Sequence, residues 1–226
     1  MKEQEHIQTT TWARMLNVLV FPGDVFEEVV SAPLRLVNWR APTLLVVLVT
    51  IISIQFGPFG ASFGANLCGT NSTSDPFGRG DLLAAWWPVA SSLNIFAAAF
   101  GGSIWSAFVL WFIGRVFLGV RFSWLKTLEI VGLSGTVLTL GLIVTSLTAA
   151  IFGDIHACPA FSLFPGKLDS ATALFQAFGA FDLFYIWSTA VMAIGLSKLS
   201  GVSVKESAFW VFSYWFAIRI GLIILA

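Results

Sequence analysis

The chain has 226 residues, of which 57% are hydrophobic and 11% are charged, and its mean hydropathy is +0.86. Soluble domains carry about a quarter charged residues, so this composition indicates a polytopic membrane protein and excludes an ordinary soluble domain. Twelve basic residues balance twelve acidic ones, which leaves no excess positive charge for binding nucleic acid. The lipid bilayer is therefore the first expected partner.

Long apolar segments predict an all-α fold with a five-helix transmembrane bundle. A transmembrane helix needs about 20 apolar residues at roughly 1.5 Å rise per residue. Pro42 stands where the first of these helices can begin. The predicted domains are a cytosolic N-terminal segment, residues 1–40, and a five-span domain, residues 41–226. The predicted spans lie near residues 42–60, 94–118, 130–152, 173–197 and 207–225.

The distribution of Lys and Arg predicts the orientation of the five spans. Cytoplasmic segments carry an excess of these residues. With the N-terminus in the cytoplasm, the outer loops hold two of them, Arg79 and Lys167, and Arg219 falls within the last span. We therefore expect a cytoplasmic N-terminus and an external C-terminus. The nine basic residues on the inner side are Lys2, Arg14, Arg35, Arg40, Arg115, Arg121, Lys126, Lys198 and Lys205.

Two short amphipathic helices are predicted before the first span. In "WARMLNVLVF" the helical period places Arg14 and Asn17 on a polar face. The second helix follows in "PGDVFEEVVSAP", where Asp24 is a plausible N-cap and Pro33 ends the helix. Both are expected to lie on the inner leaflet, a position compatible with docking a cytosolic partner. The predicted interfacial anchor is the apolar face of the first helix, Trp12, Met15, Leu16 and Leu19.

Small residues in the second and third spans predict close helix packing. Transmembrane helices gain little from hydrophobic burial against lipid, so they approach closely where side chains are small. The predicted packing glycines are Gly101, Gly102, Gly132, Gly135 and Gly141.

The sequence "GLSG", residues 132–135, also matches the Gly-x-Ser-Gly pattern of rhomboid-like intramembrane proteases. Such an enzyme needs a histidine base on another helix, and the two histidines, His6 and His156, lie outside the predicted spans. No phosphate-binding loop, pair of catalytic carboxylates or dinucleotide fingerprint is visible. We therefore predict no catalytic residue, no enzymatic activity and no cofactor.

The two cysteines, Cys68 and Cys158, both fall in predicted outer loops. Disulfides persist outside the bacterial cytoplasm, so one intramolecular disulfide is predicted. The alternatives are free thiols or a metal site that adds His156. Three ligands are one fewer than structural zinc sites usually have, so no metal is expected.

Two charged residues, Asp182 and Arg219, lie within the predicted fourth and fifth spans. Their distances along the chain from Lys198 and Lys205 place them about 24 and 21 Å from the same cytoplasmic loop, at a similar depth. Neighbouring antiparallel helices would allow an intramembrane ion pair, which lowers the cost of burying each charge. The alternative is that Arg219 extends to the outer interface and Asp182 is protonated.

Three stretches together resemble one known family. They are "MLNVLVFPGDVFEEVVSAP", "GRVFLGVRFSWLKTLEIVGLSG" and "DLFYIWSTAVMAIGLSKLSGVSVKESAF". In this order they resemble the bacterial branch of the Yip family, the Ypt/Rab-interacting membrane proteins. The resemblance implies a five-helix bundle with a cytosolic N-terminus in the bacterial inner membrane. Eukaryotic members are associated with Rab GTPases through a longer cytosolic N-terminal region, whereas about forty residues precede the first predicted span here.

Two functions remain open from the sequence. The first is a non-enzymatic membrane scaffold or adaptor, which recruits other membrane or peripheral proteins or organises the bilayer. The amphipathic N-terminal helices, the small packing residues and the family resemblance favour it. The second is a small transporter or channel subunit that uses Asp182 and Arg219, because intramembrane charges often line ion or substrate paths.

Overall fold

A computed structural model describes residues 10–56, 79–152 and 183–225. Within these residues the secondary structure is entirely α-helical, as the sequence predicts. Two short helices precede five long ones. They are α1 (Thr11–Asn17), α2 (Pro22–Ser31), α3 (Val37–Phe56), α4 (Arg79–Val116), α5 (Trp124–Phe152), α6 (Leu183–Ser200) and α7 (Val204–Leu225).

The five long helices alternate in direction. α3 and α5 run parallel, because the side chain of Asn38 contacts Glu129 near their starts and the hydroxyl oxygens of Ser53 and Ser146 lie 2.7 Å apart further along. α6 runs antiparallel to α5, since Phe184 near the start of α6 lies against Gly141, whereas Gly195 further along α6 lies against Ile130, which comes earlier in α5. α4 and α6 thus end where α3, α5 and α7 begin.

We call this end of the bundle the α1–α2 end, because both short helices pack there. The connection from α6 to α7 is also at this end. It turns at Gly201, whose φ of +74° is readily adopted only by glycine and which ends α6 by donating its N–H to the Ser197 carbonyl at 2.8 Å.

α5 is the central helix of the described structure. It packs against α3, α4 and α6, and also against α1 and α2, while α7 packs mainly against α6. The sequence of α5 is apolar on all sides, which is typical of a helix surrounded by other helices. This position makes α5 the element on which the N-terminal helices and the bundle meet.

Three described helices are long and apolar enough to cross a membrane: Val89–Val116, Trp124–Thr148 and Leu183–Ser200. A shorter apolar stretch, Val37–Ser53, belongs to α3. All five predicted spans overlap a helix, although α4 begins well before predicted residue 94 and the described part of α6 begins at residue 183. The structure thus supports a helical protein with several membrane-spanning helices.

Two predicted helix starts are wrong. Pro42 lies inside α3, which begins five residues earlier at Val37. The extra turn is held by contacts of Arg35 and Asn38 with α5. In α2, Pro22 occupies the first turn and Asp24 lies within the helix, so Asp24 is not the N-cap. Proline is well suited to a first turn because its missing N–H has no partner there.

Candidate functional site

The short helices α1 and α2 are seated on the bundle by an apolar core. Isolated helices of 7 and 10 residues are too short to be stable in water, so their folding depends on this contact. Gly195 on α6 allows α2 and α5 to approach α6 closely, because a Cβ at this position would overlap Ile130 and crowd Phe26. The core cluster combines Met15, Val18, Val25, Phe26 and Val29 with Ile130, Leu133, Val137 and Val191.

A buried carboxylate, Glu129, organises the polar part of this junction. Its side chain is 1% exposed. One oxygen, Oε1, accepts the backbone N–H of Arg35 at 2.5 Å and the Nδ2 group of Asn38 at 3.3 Å. The other oxygen, Oε2, lies 3.0 Å from Lys126 Nζ. A buried carboxylate is costly unless it is paired and hydrogen-bonded, and Glu129 is both.

Lys126 links α5 to the last turn of α2. Its Nζ donates to the carbonyls of Val29 and Ala32, each at 2.7 Å. These carbonyls lack helical partners, and the end of a helix carries partial negative charge, so a cation is favourable there. Its contact with Glu129 is an ion pair at 3.0 Å without hydrogen-bond geometry. Lys126 therefore has two roles: it caps the end of α2 and it balances the charge of Glu129.

Two further ion pairs hold the short helices. Arg14 of α1, 1% exposed, contacts Glu28 of α2 at 2.8 Å. Glu27 of α2 contacts Lys198 of α6 at 2.6 Å. The hydrogen bond and charge of Lys198 hold the pKa of Glu27 below its ordinary value of 4.5. Together with Lys126, these contacts connect α1, α2, α5 and α6.

The outward surface of α1 and of the turn after it is apolar. Trp12 is 61% exposed and Leu16 is 67% exposed. Val20 and Phe21 in the turn are exposed to a similar degree. We call these four residues the α1 face. Because α1 is fixed by Arg14, Met15 and Val18 on its other side, the bundle presents the α1 face in a defined orientation.

A cavity of about 340 Å³ lies between α3, α4, α5 and α6. Hydroxyl groups and glycines contribute to its lining. Thr43, Ser103 and Ser188 each donate their hydroxyl to a backbone carbonyl, which leaves the lone pairs of these three oxygens as acceptors.

The family model of the Yip1 domain matches residues 16–226, which include every element of this site from Leu16 onward. The chain belongs to the Yip1 domain family. This confirms the resemblance found in the sequence. The chain is also similar to membrane protein YknW of Bacillus subtilis (strain 168), with 26% identity over 198 residues that cover 84% of this chain and 80% of YknW. No solved structure matches the chain.

The predicted anchor residues of this Yip1 protein divide into two groups. Met15 is buried in the core cluster and Leu19 packs against it, so neither is free to enter lipid. Trp12 and Leu16 are exposed and remain available as an anchor. Arg14, assigned to the polar face by its helical period, is buried instead, because Glu28 of α2 provides its partner.

The predicted packing glycines also differ among themselves. A Cβ at Gly132 would lie 2.6 Å from the Cα of Trp39, and one at Gly141 would lie 2.7 Å from the ring of Phe184. These two glycines permit close approach of α5 to α3 and α6. Nothing lies within 4 Å of a Cβ built at the other three, Gly101, Gly102 and Gly135. Gly102 and Gly135 line the cavity instead.

The remaining predicted residues lie wholly or partly outside the described residues. Asp182, Cys68 and Cys158 fall in the segments between the described ranges, and for Arg219 only the backbone in α7 is described. The ion pair and the disulfide therefore stay predictions, and no described contact supports either. Among the described residues, no three His, Cys, Asp or Glu side chains are grouped to hold a metal ion.

Sequence reasoning missed the polar junction of the Yip1 domain. Glu129 directly precedes the predicted third span, and the sequence pattern assigns it no role; Lys126 contributes to the sequence predictions only as one of the nine inner basic residues. One signal was available, because an i, i+3 pair of opposite charges at the start of an apolar helix is favourable locally. Their partners, Arg35, Asn38 and α2, lie 91 to 97 residues away in the chain.

Proposed function

We propose that this Yip1-domain protein is a non-enzymatic membrane scaffold or adaptor that recruits a partner through the α1 face. The supporting observation is that an exposed apolar surface belongs to α1 and the turn after it, while the opposite side of α1 is fixed by the Arg14–Glu28 ion pair and by the apolar core. Exposed apolar patches on a defined surface are typical of interaction sites. A surface that is already ordered loses less conformational entropy on binding, so pinning α1 favours recognition.

Site-specific photocrosslinking tests this proposal. A photoreactive phenylalanine analogue replaces Leu16, which is 67% exposed on the α1 face. The control position is Val204, which is exposed at the same end of the bundle on α7. We expect a discrete protein adduct from Leu16 in intact cells, none from Val204, and loss of the adduct when Trp12 is changed to Ser. Equal adducts at both positions, or lipid adducts alone, contradict the proposal.

The proposal includes five membrane-crossing helices with α1 and α2 on the cytoplasmic side. The alternating helix directions support it, because the described Lys and Arg of the inner segments then lie at the α1–α2 end. A membrane-impermeant thiol reagent should label Lys167→Cys but not Lys205→Cys in intact cells, in a background without Cys68 and Cys158. Labelling of Lys205→Cys alone would show that the protein has the opposite orientation, with α1 and α2 outside.

A small transporter or channel subunit is the second candidate, and the hydroxyl-lined cavity favours it. The predicted Asp182–Arg219 pair separates the two functions. If the pair is structural, Asp182→Asn and Arg219→Gln should each lower stability in detergent by more than the double variant does, because each single change leaves one charge unpaired. Additive losses would make Asp182 a candidate transport residue.

A further inference from the structure

A second exposed surface lies between α4 and α7 and shares no residue with the α1 face. Here the two helices enclose a groove of about 470 Å³. Val109 and Ile113 of α4, both buried, form its floor. At one end the indole N–H of Trp105 donates to the hydroxyl of Tyr214 at 3.0 Å, which bridges the two helices.

Aromatic rings form a continuous wall along this groove. Consecutive ring centroids from Trp105 through Phe108 and Phe112 to Phe117 are 5.9 to 6.4 Å apart, and Phe117 stacks on Trp210 of α7 at 4.2 Å. From residue 105 to residue 117 the helix rises about 18 Å. The groove is therefore long, narrow and almost entirely apolar.

Positive charge lies at the end of the groove near Phe117. Arg115 is exposed, with its guanidinium 5.4 Å from the ring centre of Trp111. Lys205, at the start of α7, and Arg121, after α4, are exposed as well. Glu206 is the one acidic residue among the described side chains of α4 and α7. An occupant with an apolar tail and an anionic head matches this arrangement.

We propose that this groove binds one acyl chain of an anionic phospholipid, whose headgroup phosphate contacts the exposed Arg115, Arg121 and Lys205. The volume lies in the range of about 300–1,000 Å³ typical of ligand clefts. A helix of about 10 Å diameter over the same length needs well over 1,000 Å³, so the groove has room for one extended chain and not for a whole helix. The site would couple bilayer composition to the packing of α4 against α7.

Native mass spectrometry of the purified full-length protein tests the proposal, with phosphatidylglycerol and phosphatidylcholine as probes. We expect wild type to retain one phosphatidylglycerol in preference to phosphatidylcholine. Ser213→Phe and Ala217→Phe, which place a ring in the groove from exposed positions, should each abolish this retention. Ile220→Phe adds a ring to an exposed position of α7 outside the groove and should retain the lipid.

Charge variants test the headgroup contact separately. Arg121→Gln and Lys205→Gln should each reduce the preference for phosphatidylglycerol about two- to fivefold, the range that one exposed ion pair contributes. Arg40→Gln removes an exposed charge from α3 and should leave the preference unchanged. Gel-filtration volume confirms that each variant is folded.

Three results would overturn the lipid site. The first is that Ser213→Phe and Ala217→Phe both retain phosphatidylglycerol as well as wild type does. The second is equal retention of the two lipids by wild type. The third is a change of Ser213→Phe from dimer to monomer with no loss of lipid, which would assign the groove to contact between copies. None of these results bears on the α1 face, so the two proposals fail independently.

Discussion

Replacing Glu129 by Ala tests whether the buried polar junction holds the N-terminal helices on the bundle. The change removes the acceptor of the Arg35 N–H and the Asn38 amide and removes the carboxylate beside Lys126. Removing one partner of a buried ion pair typically costs about 3–5 kcal/mol. Lys126 still donates to two carbonyls of α2 and is not left bare, so we expect about 3 kcal/mol.

The assay is reversible unfolding in mixed micelles containing sodium dodecyl sulfate. Glu129→Gln keeps an oxygen for the Arg35 N–H and should lose less than Glu129→Ala by about 1 kcal/mol, the net value of one hydrogen bond. Glu206→Ala is the matched control, because that carboxylate is exposed. It should change stability by no more than about 0.5 kcal/mol.

A double-mutant cycle with Lys126→Met shows whether the pair is coupled. We expect a coupling free energy of about 1–3 kcal/mol between the two positions, since contacting residues in one network are not additive. A loss below about 1 kcal/mol for Glu129→Ala, or additivity in the cycle, would refute the reasoning, because neither fits a buried carboxylate that depends on its partners.

Two other predictions follow from single contacts. Gly132→Ala should cost about 1–3 kcal/mol in the same assay, because the new methyl would lie 2.6 Å from the Cα of Trp39, whereas Gly101→Ala, with nothing within 4 Å, should be neutral or slightly stabilising. Equal effects would contradict the close crossing. The Glu27–Lys198 contact lowers the pKa of Glu27. The contribution of this contact to stability is therefore present above pH 4.5 and is lost as the pH falls through the lowered pKa. The small stability difference between wild type and Glu27→Gln should therefore diminish as the pH falls below 4.5, and a difference independent of pH would contradict it.

The sequence alone determined the class, the helical fold, the family and the approximate positions of the five long helices. These properties follow from local composition, because a run of about 20 apolar residues is recognisable without knowing its neighbours. The sequence also predicted packing at five glycines, but it did not distinguish Gly132 and Gly141, which lie close to Trp39 and Phe184, from Gly101, Gly102 and Gly135. A helix that is apolar all round has no period that marks which face a neighbour will approach.

The tertiary structure decided the partners and surroundings of the polar residues. Arg14 is buried because α2 folds back and brings Glu28 to it. The carboxylate of Glu129 can be buried because Arg35 and Asn38, 91 to 94 residues away in the chain, donate hydrogen bonds to it. Met15 and Trp12 share one apolar pattern in the sequence, yet one packs in the core and the other is exposed. Periodicity defines an apolar face, but the docking of α1 on α5 selects which part of that face is covered.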